Sequence, residues 1–432
     1  MLPMMPNTSQ PLRVALVASS LRLAGAEKQT AYLARALFGA GTDVRFFYLG
    51  EGGHYEQILR GMRIPFVQIY RQNRPVFMLA RLTKALCRFR PQIVFAPQFG
   101  DLLQAGIAGR LCHALILGGV RSDGFYELNG HGQQSQLMLR LAHGLVVNSH
   151  RAGQNLASRG AETSKMKILP NVLDLREFDA RSKLPSPTRV DPERVMAVAV
   201  GSLQPSKRFD RFLRALALAR RKAPALIGVI AGSDCGSRTA LEQEANALGL
   251  APDHVAFLGE CDNVPALLVQ AGLLVLCSEY EGFPNVILEA MAARLPVITT
   301  PVGDAERLVL EGQTGFVVDG AQTSALAERM VELALSPGIR TRQGTAGRER
   351  VVRDYNYESL PARLLGILHD FAAQSRRYQL LEWLQGWSPA REANGSRGPG
   401  VPGNSGGALT TAPEAIFADT ANNSQCEAKA AA

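Results

Sequence analysis

The stretch CSEYEGFPNVILEAMAARLPVITT, residues Cys277–Thr300, reads as the end of a buried strand, a loop, and a helix that starts near Pro284. Proline fits the first helical position because it has no N–H to leave unsatisfied. Glu289 interrupts the apolar run Val286–Ala293, and an unpaired buried carboxylate is costly. Glu289 therefore either pairs with a buried Lys or Arg, or joins Glu281 in accepting hydrogen bonds from hydroxyl groups, as a sugar or ribose would offer.

Outward from this stretch, apolar strand-like runs alternate with helix-like segments, which predicts βαβ units and mainly parallel sheets. The polar segment Arg181–Arg194, with three prolines, reads as a linker between two α/β series. The predicted strands are Val14–Ala18, Val44–Tyr48, Phe66–Ile69, Ile93–Ala96, Leu115–Val120 and Leu145–Asn148, then Met196–Val200, Leu226–Ala231, Val255–Leu258, Leu273–Cys277, Pro296–Thr299 and Gly315–Val318.

The fold class is therefore α/β, with two Rossmann-like domains of similar size. The expected divisions are a first domain over residues 1–183, a second over 193–353, C-terminal helices over 354–385 that pack back toward the first domain, and a disordered tail over 386–432 rich in Gly, Pro, Ser and Ala. In such open sheets, ligands bind outside the carboxyl ends of the strands.

Composition is ordinary for a globular protein, with 46% hydrophobic and 20% charged residues. No run is long and apolar enough to span a bilayer. The first residues lack the basic and apolar regions of a signal peptide, so we expect a cytoplasmic chain. The six cysteines form no C-x-x-C pair, which favours reduced core cysteines over disulfides or a zinc site.

The formal charge of +9 is uneven, since Asp and Glu are absent between Gln57 and Gly100. Within this window Arg81, Lys84 and Arg88 share one helical face, and Met78, Leu82, Leu86 and Phe89 share its neighbour. A basic amphipathic helix of this kind binds an anionic membrane surface, at about 1 kcal/mol per basic residue. The alternative is a solvated outer helix whose long side chains cover apolar surface. No motif in the window points to nucleic acid as a partner.

Two further strand-to-helix turns suit an anion. Gly25 precedes a helix from about Ala26, where glycine lets backbone N–H groups approach a phosphate. In VGSLQPSKRFD, Gly201 and Ser202 follow a strand, and Lys207 and Arg208 are expected at the start of the next helix. Cations are disfavoured there by the helix dipole, so a diphosphate nearby would explain them. A turn-shaping glycine and a solvated basic first turn remain the alternatives.

The segment EYEGFPNVILEAMAARLPVITTPVGDAERLVLEGQTGF resembles the donor-binding region of the family 4 retaining glycosyltransferases, with their Glu-x7-Glu pattern at Glu281 and Glu289. The resemblance runs from about residue 12 to 370. It includes LAGAEKQT, VVNSH, LPNVLDLREF, VGSLQPSKRFD and AFLGE.

This resemblance implies a GT-B fold, whose two Rossmann-like domains face each other across a cleft, the first on the acceptor side and the second binding the nucleotide sugar. Glu281 would contact the donor sugar as a catalytic residue, and Lys207 would stabilise the departing diphosphate. Glu289 would accept from the ribose hydroxyls. The other donor-binding residues would be Gly282, Phe283, Asn285, Val286, Gly201, Ser202, Arg208 and Gly25. Arg121, Ser122 and Asp123 are candidates for the acceptor side.

The family needs no metal or cofactor, since the nucleotide sugar is a substrate, and this sequence has no D-x-D motif. The implied function is metal-independent hexosyl transfer, with retention of configuration, from a nucleotide donor to a lipid-linked or polysaccharide acceptor in cell-surface glycan synthesis. The nucleotide is expected to be UDP, because the segment EGFPNVILEAMA resembles that of transferases with UDP-linked donors. The implied location is the cytoplasm, with peripheral binding to the inner face of the cytoplasmic membrane as a further expectation.

Three positions depart from the family pattern. Ser202 stands where Arg is usual, Ala24-Gly25 replaces a double glycine, and APQFGD and VRSDGFY lack the histidine often found after the fourth or fifth strand. Ser202 and the missing histidine keep open the alternative of a non-catalytic nucleotide-sugar-binding protein of the same fold. A nucleotide-sugar 2-epimerase of this fold is a further alternative.

Overall fold

The computed structural model describes residues 11–22, 24–50, 53–69, 75–189, 191–320 and 322–385. The predicted disordered tail lies outside these residues. The strands of the described part are β1 Arg13–Ala18, β2 Asp43–Tyr48, β3 Phe66–Gln68, β4 Ile93–Ala96, β5 Leu115–Val120, β6 Gly144–Val147, β7 Met166–Ile168, β8 Val195–Val200, β9 Leu226–Ala231, β10 Val255–Gly259, β11 Leu273–Leu276, β12 Val297–Thr299 and β13 Gly315–Val317.

The helices of the same residues alternate with these strands. They are α1 Gly25–Gly39, α2 His54–Gly61, α3 Pro75–Phe89, α4 Leu102–Leu111, α5 Phe125–His131, α6 Gln134–Leu141, α7 His150–Ser158, α8 Leu175–Ser182, α9 Phe209–Arg220, α10 Arg238–Ala247, α11 Val264–Leu268, α12 Asn285–Ala292, α13 Ala305–Leu308, α14 Thr323–Leu335, α15 Pro337–Asp354, α16 Leu360–Gln374 and α17 Tyr378–Gln385. None of the described helices is both long and apolar enough to cross a membrane.

The strands form two sheets, ordered β3-β2-β1-β4-β5-β6-β7 and β10-β9-β8-β11-β12-β13. The pairings of β8 with β9 and β11, and of β11 with β12, are all parallel. The strand order reverses at β8, which places the loops after β8 and β11 side by side at the carboxyl edge of the second sheet. The predicted α/β architecture is confirmed.

Both faces of the second sheet are buried. In β8, Ala197 and Ala199 face a core shared with Phe212 and Leu216 of α9, whereas Met196 and Val198 face the opposite core. Because side chains alternate across a strand, burial on both faces makes the strand apolar throughout. This is why β8 reads as the uninterrupted run VMAVAV.

Three predicted details differ in the structure. The short strand β7 was missed, because its three half-buried residues, Met-Lys-Ile, give little apolar signal. A single predicted C-terminal helix over Glu358–Leu384 is divided into a 3-10 turn, α16 and α17, with a break at Arg376, whose φ is 52°. Pro284 precedes α12 as its extended N-cap and is not the first helical residue.

Contacts group the described residues into two compact units. The first contains residues 11–95, 107–116 and 361–385, and the second contains 96–106 and 117–360. The two loops that follow β8 and β11, and the residues after β5 and β7, all belong to the second unit. Their relative geometry is therefore that of one compact body.

Candidate functional site

The loop between β11 and α12 holds Glu281 against Lys207. Lys207 Nζ donates to Glu281 Oε1 at 2.6 Å, and Ser278 Oγ donates to the same oxygen at 2.7 Å. The two charged side chains are only 20% and 14% exposed. The loop is fixed from behind because Thr300 Oγ1 donates to the Ser278 carbonyl at 2.8 Å. The structure thus brings together the two residues to which the family resemblance gives catalytic roles, and those roles stay predictions.

The loop after β8 differs from the prediction that Lys207 and Arg208 begin a helix. Lys207 ends a 3-10 turn, Pro205–Lys207, and α9 begins at Phe209. Arg208 lies between them as the N-cap of α9, in the left-handed region with φ 50°. The sequence signal was misread because the turn and the helix are contiguous apart from this one residue.

Arg208 is committed to carboxylates. Its Nε and Nη2 donate to the two carboxylate oxygens of Asp210 at 2.9 and 2.8 Å, and Nη1 lies 3.7 Å from Glu279. The hydrogen bond to Asp210 raises the pKa of Arg208 above its usual value. Its predicted contact with a diphosphate would have to compete with this pairing. The side chain of Ser202 makes no hydrogen bond within the described residues, so nothing there replaces the expected arginine.

Two glycines let the Glu281 loop pack against backbone. A Cβ on Gly282 would lie 2.3 Å from the Ser122 carbonyl oxygen, and one on Gly303 would lie 2.3 Å from the Gly282 oxygen. Gly303 also has φ 52°, which only glycine adopts readily. A side chain at Gly282 would push the loop away from the segment that follows β5, and one at Gly303 would push it away from the segment that follows β12.

That segment contains Arg121, whose guanidinium Nε donates to the Pro97 carbonyl at 3.3 Å and whose Nη1 donates to Asn171 Oδ1 at 3.4 Å. Its Nη2 is sealed from solvent and has no partner among the described residues. Burial lowers the pKa of Arg121 to about 10, so the group is still charged at neutral pH. Asn171 Nδ2 in turn donates to Asn285 Oδ1 at 2.8 Å.

The neighbours of Arg121 are engaged locally. Asp123 Oδ1 accepts the Tyr126 N–H at 2.8 Å and so supports the start of α5. The carboxylate of Glu127 accepts the backbone N–H groups of Arg121, Ser122 and Gly124 at 3.1, 2.6 and 2.9 Å. Glu127 therefore shapes this loop, a role that its position in the sequence did not suggest.

Three more of the predicted residues lie on or beside α12. Phe283 is buried, with its ring 5.9 Å from that of Tyr355, so only its backbone can contribute to a site. Val286 is half-buried against the same core. Glu289 is half-buried, one turn along the helix from Asn285, so the full burial suggested by its apolar surroundings is wrong. Gly201 follows β8, while Gly25 begins α1 in the first unit, and their predicted roles stay predictions.

Asp304, in the loop after β12, is a contact that sequence reasoning missed. Its Oδ2 accepts the His150 N–H at 2.9 Å and lies 3.0 Å from His150 Nδ1, while Oδ1 accepts the Arg151 N–H at 3.1 Å. Both residues lie in the motifs VVNSH and PVGDAERL, but their mutual contact spans 154 positions. Only the tertiary structure could show it.

Two family models match this chain. The model described as "Glycosyltransferase Family 4" matches residues 23–177, and "Glycosyl transferases group 1" matches residues 181–350. The chain belongs to the family 4 glycosyltransferases. The GT-B fold implied by the resemblance is confirmed together with the family.

The chain is similar to curated relatives that are named for their activities. It is 32% identical over 251 residues to a D-inositol 3-phosphate glycosyltransferase of Salinispora tropica, covering 54% of this chain and 52% of the relative. It is also 32% identical over 225 residues to a GDP-mannose-dependent alpha-(1-6)-phosphatidylinositol monomannoside mannosyltransferase of Mycobacterium tuberculosis. That match covers 49% of this chain and 58% of the relative. The matched part therefore spans about half the length of these relatives.

Solved structures share the fold at low identity. The Anabaena HepE protein in complex with UDP superimposes with a TM-score of 0.70 at 18% identity, over 83% of this chain and 99% of that one. A glycosyltransferase from Rickettsia africae superimposes with a TM-score of 0.68 at 16% identity, over 85% of this chain and 99% of that one.

Proposed function

We propose that this glycosyltransferase moves a hexose from a nucleotide donor, UDP-linked, to a lipid-linked sugar or polysaccharide acceptor with retention of configuration. The observation that carries the proposal is the Lys207–Glu281 contact of 2.6 Å at the carboxyl edge of β8 and β11. A cation and a carboxylate meet there beside the backbone N–H groups of Gly282, Phe283 and Asn285, which have no acceptor among the described residues. Glu289 lies further along α12.

In this proposal the ammonium of Lys207 moves from Glu281 to the donor diphosphate, and Glu281 is released to a hydroxyl of the transferred sugar. Lys207 then opposes the negative charge that grows on the leaving diphosphate, usually a large contribution to catalysis. The backbone N–H groups of Gly282, Phe283 and Asn285 add donors that need no reorganisation. Glu289 accepts from the ribose hydroxyls.

The basic helix α3 is proposed to bring the acceptor side to an anionic membrane. Arg81, Lys84 and Arg88 are exposed, but Leu82, Leu86 and Phe89 are buried, with the Phe89 ring 5.7 Å from that of Phe47. The apolar stripe therefore packs inside the first unit and cannot lie in a bilayer. Electrostatic attraction would be supplemented by Val76 and Phe77, which are 78% and 64% exposed at the start of the helix.

The test is release of the nucleotide. Purified chain would be incubated with UDP-glucose, UDP-N-acetylglucosamine and GDP-mannose, each with a lipid-extract acceptor, and free UDP or GDP measured for wild type and Glu281→Ala. We expect release by the wild type that falls at least 100-fold in the variant. Binding of UDP with no release, unchanged in Glu281→Ala, would instead support a non-catalytic binding protein. A changed sugar on the recovered nucleotide would indicate a 2-epimerase.

A further inference from the structure

Three side chains from distant parts of the sequence form a hydrogen-bonded relay within the second unit. Arg121 Nη1 donates to Asn171 Oδ1, and Asn171 Nδ2 donates to Asn285 Oδ1. Asn171 is 4% exposed, and the two ends of the relay are half-buried. The relay runs from the segment after β5, through the segment after β7, to the first residue of α12.

The chemistry of Arg121 fixes the direction of every bond in this relay. A guanidinium has donors and no acceptor, so Asn171 must present its carbonyl oxygen to it. The amide nitrogen of Asn171 then faces Asn285, so Asn285 must accept this hydrogen bond with its side-chain carbonyl oxygen. The Nδ2 group of Asn285 is left over, and its two hydrogens have no partner among the described residues.

The position of Asn285 on α12 suits its Nδ2 group to donate to a ligand hydroxyl. Asn285 lies four residues before Glu289 on α12, so the two side chains share one face of the helix. A carboxylate only accepts hydrogen bonds, so a ligand hydroxyl that donates to Glu289 or Glu281 keeps its lone pairs available. An amide N–H₂ on the helix face that carries Glu289 can donate to those lone pairs, whereas an amide oxygen would repel them.

We propose that Arg121 is a positioning residue that sets the polarity of the relay, so that Asn285 offers N–H donors to a hydroxyl of the nucleotide sugar. This inference rests on the proposed function for the identity of its ligand. The relay itself is a property of the unliganded protein and can be tested separately.

Asn171→Asp is the sharpest test, because it reverses the relay without touching the ligand. An aspartate accepts from Arg121 and cannot donate, so Asn285 must turn its Nδ2 inward and present its oxygen to the site. By calorimetry we expect affinity for UDP-glucose to fall at least 10-fold. Asn171→Leu frees the Asn285 amide to rotate, and its loss should be within 3-fold. A merely structural role predicts the opposite order, with the leucine variant worse.

Paired ligands locate the hydroxyl. A loss for UDP-glucose with UDP unaffected assigns the contact to the transferred sugar, and an equal loss for both assigns it to the ribose. GDP-mannose and GDP provide the same comparison for a guanine donor. Asn285→Asp should reproduce the loss. Asn246→Asp, an exposed position on α10, controls for the added charge. Equal affinities of Asn171→Asp and wild type would overturn the proposal.

A readout without ligand separates this inference from the proposed function. In protein labelled with ¹⁵N-asparagine, the Asn285 side-chain protons should exchange quickly in the wild type. They should shift downfield and exchange more slowly in Asn171→Asp, where they bond a carboxylate. Unchanged Asn285 protons in the variant would refute the relay. Failure of every nucleotide to bind, with the expected change in these protons, would refute the proposed function and leave the relay standing.

Discussion

Lys207 Nζ lies 2.6 Å from Glu281 Oε1, although the two residues are 74 positions apart. Each side chain offsets the charge of the other, so neither the ammonium nor the carboxylate is buried without a partner.

Replacing Lys207 by Met should lower glycosyl transfer by about 100- to 1,000-fold, because the leaving diphosphate loses its cation. Lys207→Arg keeps the charge and should retain more activity. Initial rates of UDP or GDP release measure the effect. Lys222→Met, at an exposed position after α9, is the matched control. Full activity in Lys207→Met would remove this residue from catalysis.

Asp304→Ala should destabilise the second unit by about 1–3 kcal/mol, because the N–H groups of His150 and Arg151 lose their acceptor at the start of α7. Urea unfolding followed by circular dichroism gives the free energy. Glu306→Ala removes a carboxylate two residues away that is 55% exposed, and should change stability little. Equal effects of the two substitutions would argue against the contact as a stabilising one.

Glu127 should make stability fall as pH rises. Desolvation by burial raises its pKa in the folded protein, whereas the unfolded value is about 4.3. The folded state thus holds this proton more tightly. The contribution of protonated Glu127 to the free energy of unfolding is complete below about pH 4. It is lost as the pH rises through the pKa of Glu127 in the folded protein.

Glu127→Gln cannot ionise, so its free energy of unfolding should lack this decline. The advantage of wild type over the variant, measured by urea unfolding at pH 4.5, 6 and 8, should shrink as pH rises. The exposed Glu328→Gln serves as control. A wild-type advantage that grows with pH would show that the three N–H donors to Glu127 outweigh its burial.

Cys277 should resist alkylation in the folded protein. It is 3% exposed, and burial raises its pKa to about 12, so almost no thiolate is present at pH 8. Cys87 is exposed and should react with iodoacetamide first, as peptide mass spectrometry would show. Both should react after unfolding in guanidinium chloride. Equal rates in the native protein would contradict the buried placement of Cys277.

Changing Arg81, Lys84 and Arg88 together to Glu should weaken binding to phosphatidylglycerol vesicles by at least 100-fold at low salt, at about 1 kcal/mol per basic residue. Vesicle flotation measures this, and added salt should release the wild type. The same change at the exposed residues Lys183, Arg221 and Lys222 should weaken vesicle binding less. Binding that ignores lipid charge would exclude the membrane proposal.

Much of the fold could be predicted because its signals are local. Strands buried on both faces, such as β8 and β11, are apolar throughout, and their boundaries agree with the structure to within a residue. The short strand β7 and the break at Arg376 escaped prediction. Three half-buried residues carry no clear pattern, and a single left-handed residue leaves no mark when it is not glycine.

Sequence reasoning could propose site residues where one loop carries several of them, as Glu281 to Glu289 do, and their roles stay predictions. It could not show a contact whose partner comes from elsewhere in the sequence. Asp304 and the relay from Arg121 to Asn285 were invisible for this reason. The partner of Arg208 is local: Arg208 was expected to bind a phosphate, but Asp210, two positions along the chain, pairs with it.

The sequence by itself determined the α/β alternation, because hydrophobic periodicity is a local property of the chain. It also determined the family and the pair Glu281 and Glu289, because these are recognised from short motifs. The tertiary structure alone decided which charges meet, which amide oxygen faces which nitrogen, and which apolar face of α3 is covered. Such choices depend on desolvation and hydrogen-bond geometry between segments far apart in sequence, and these exist only once the sheets have packed.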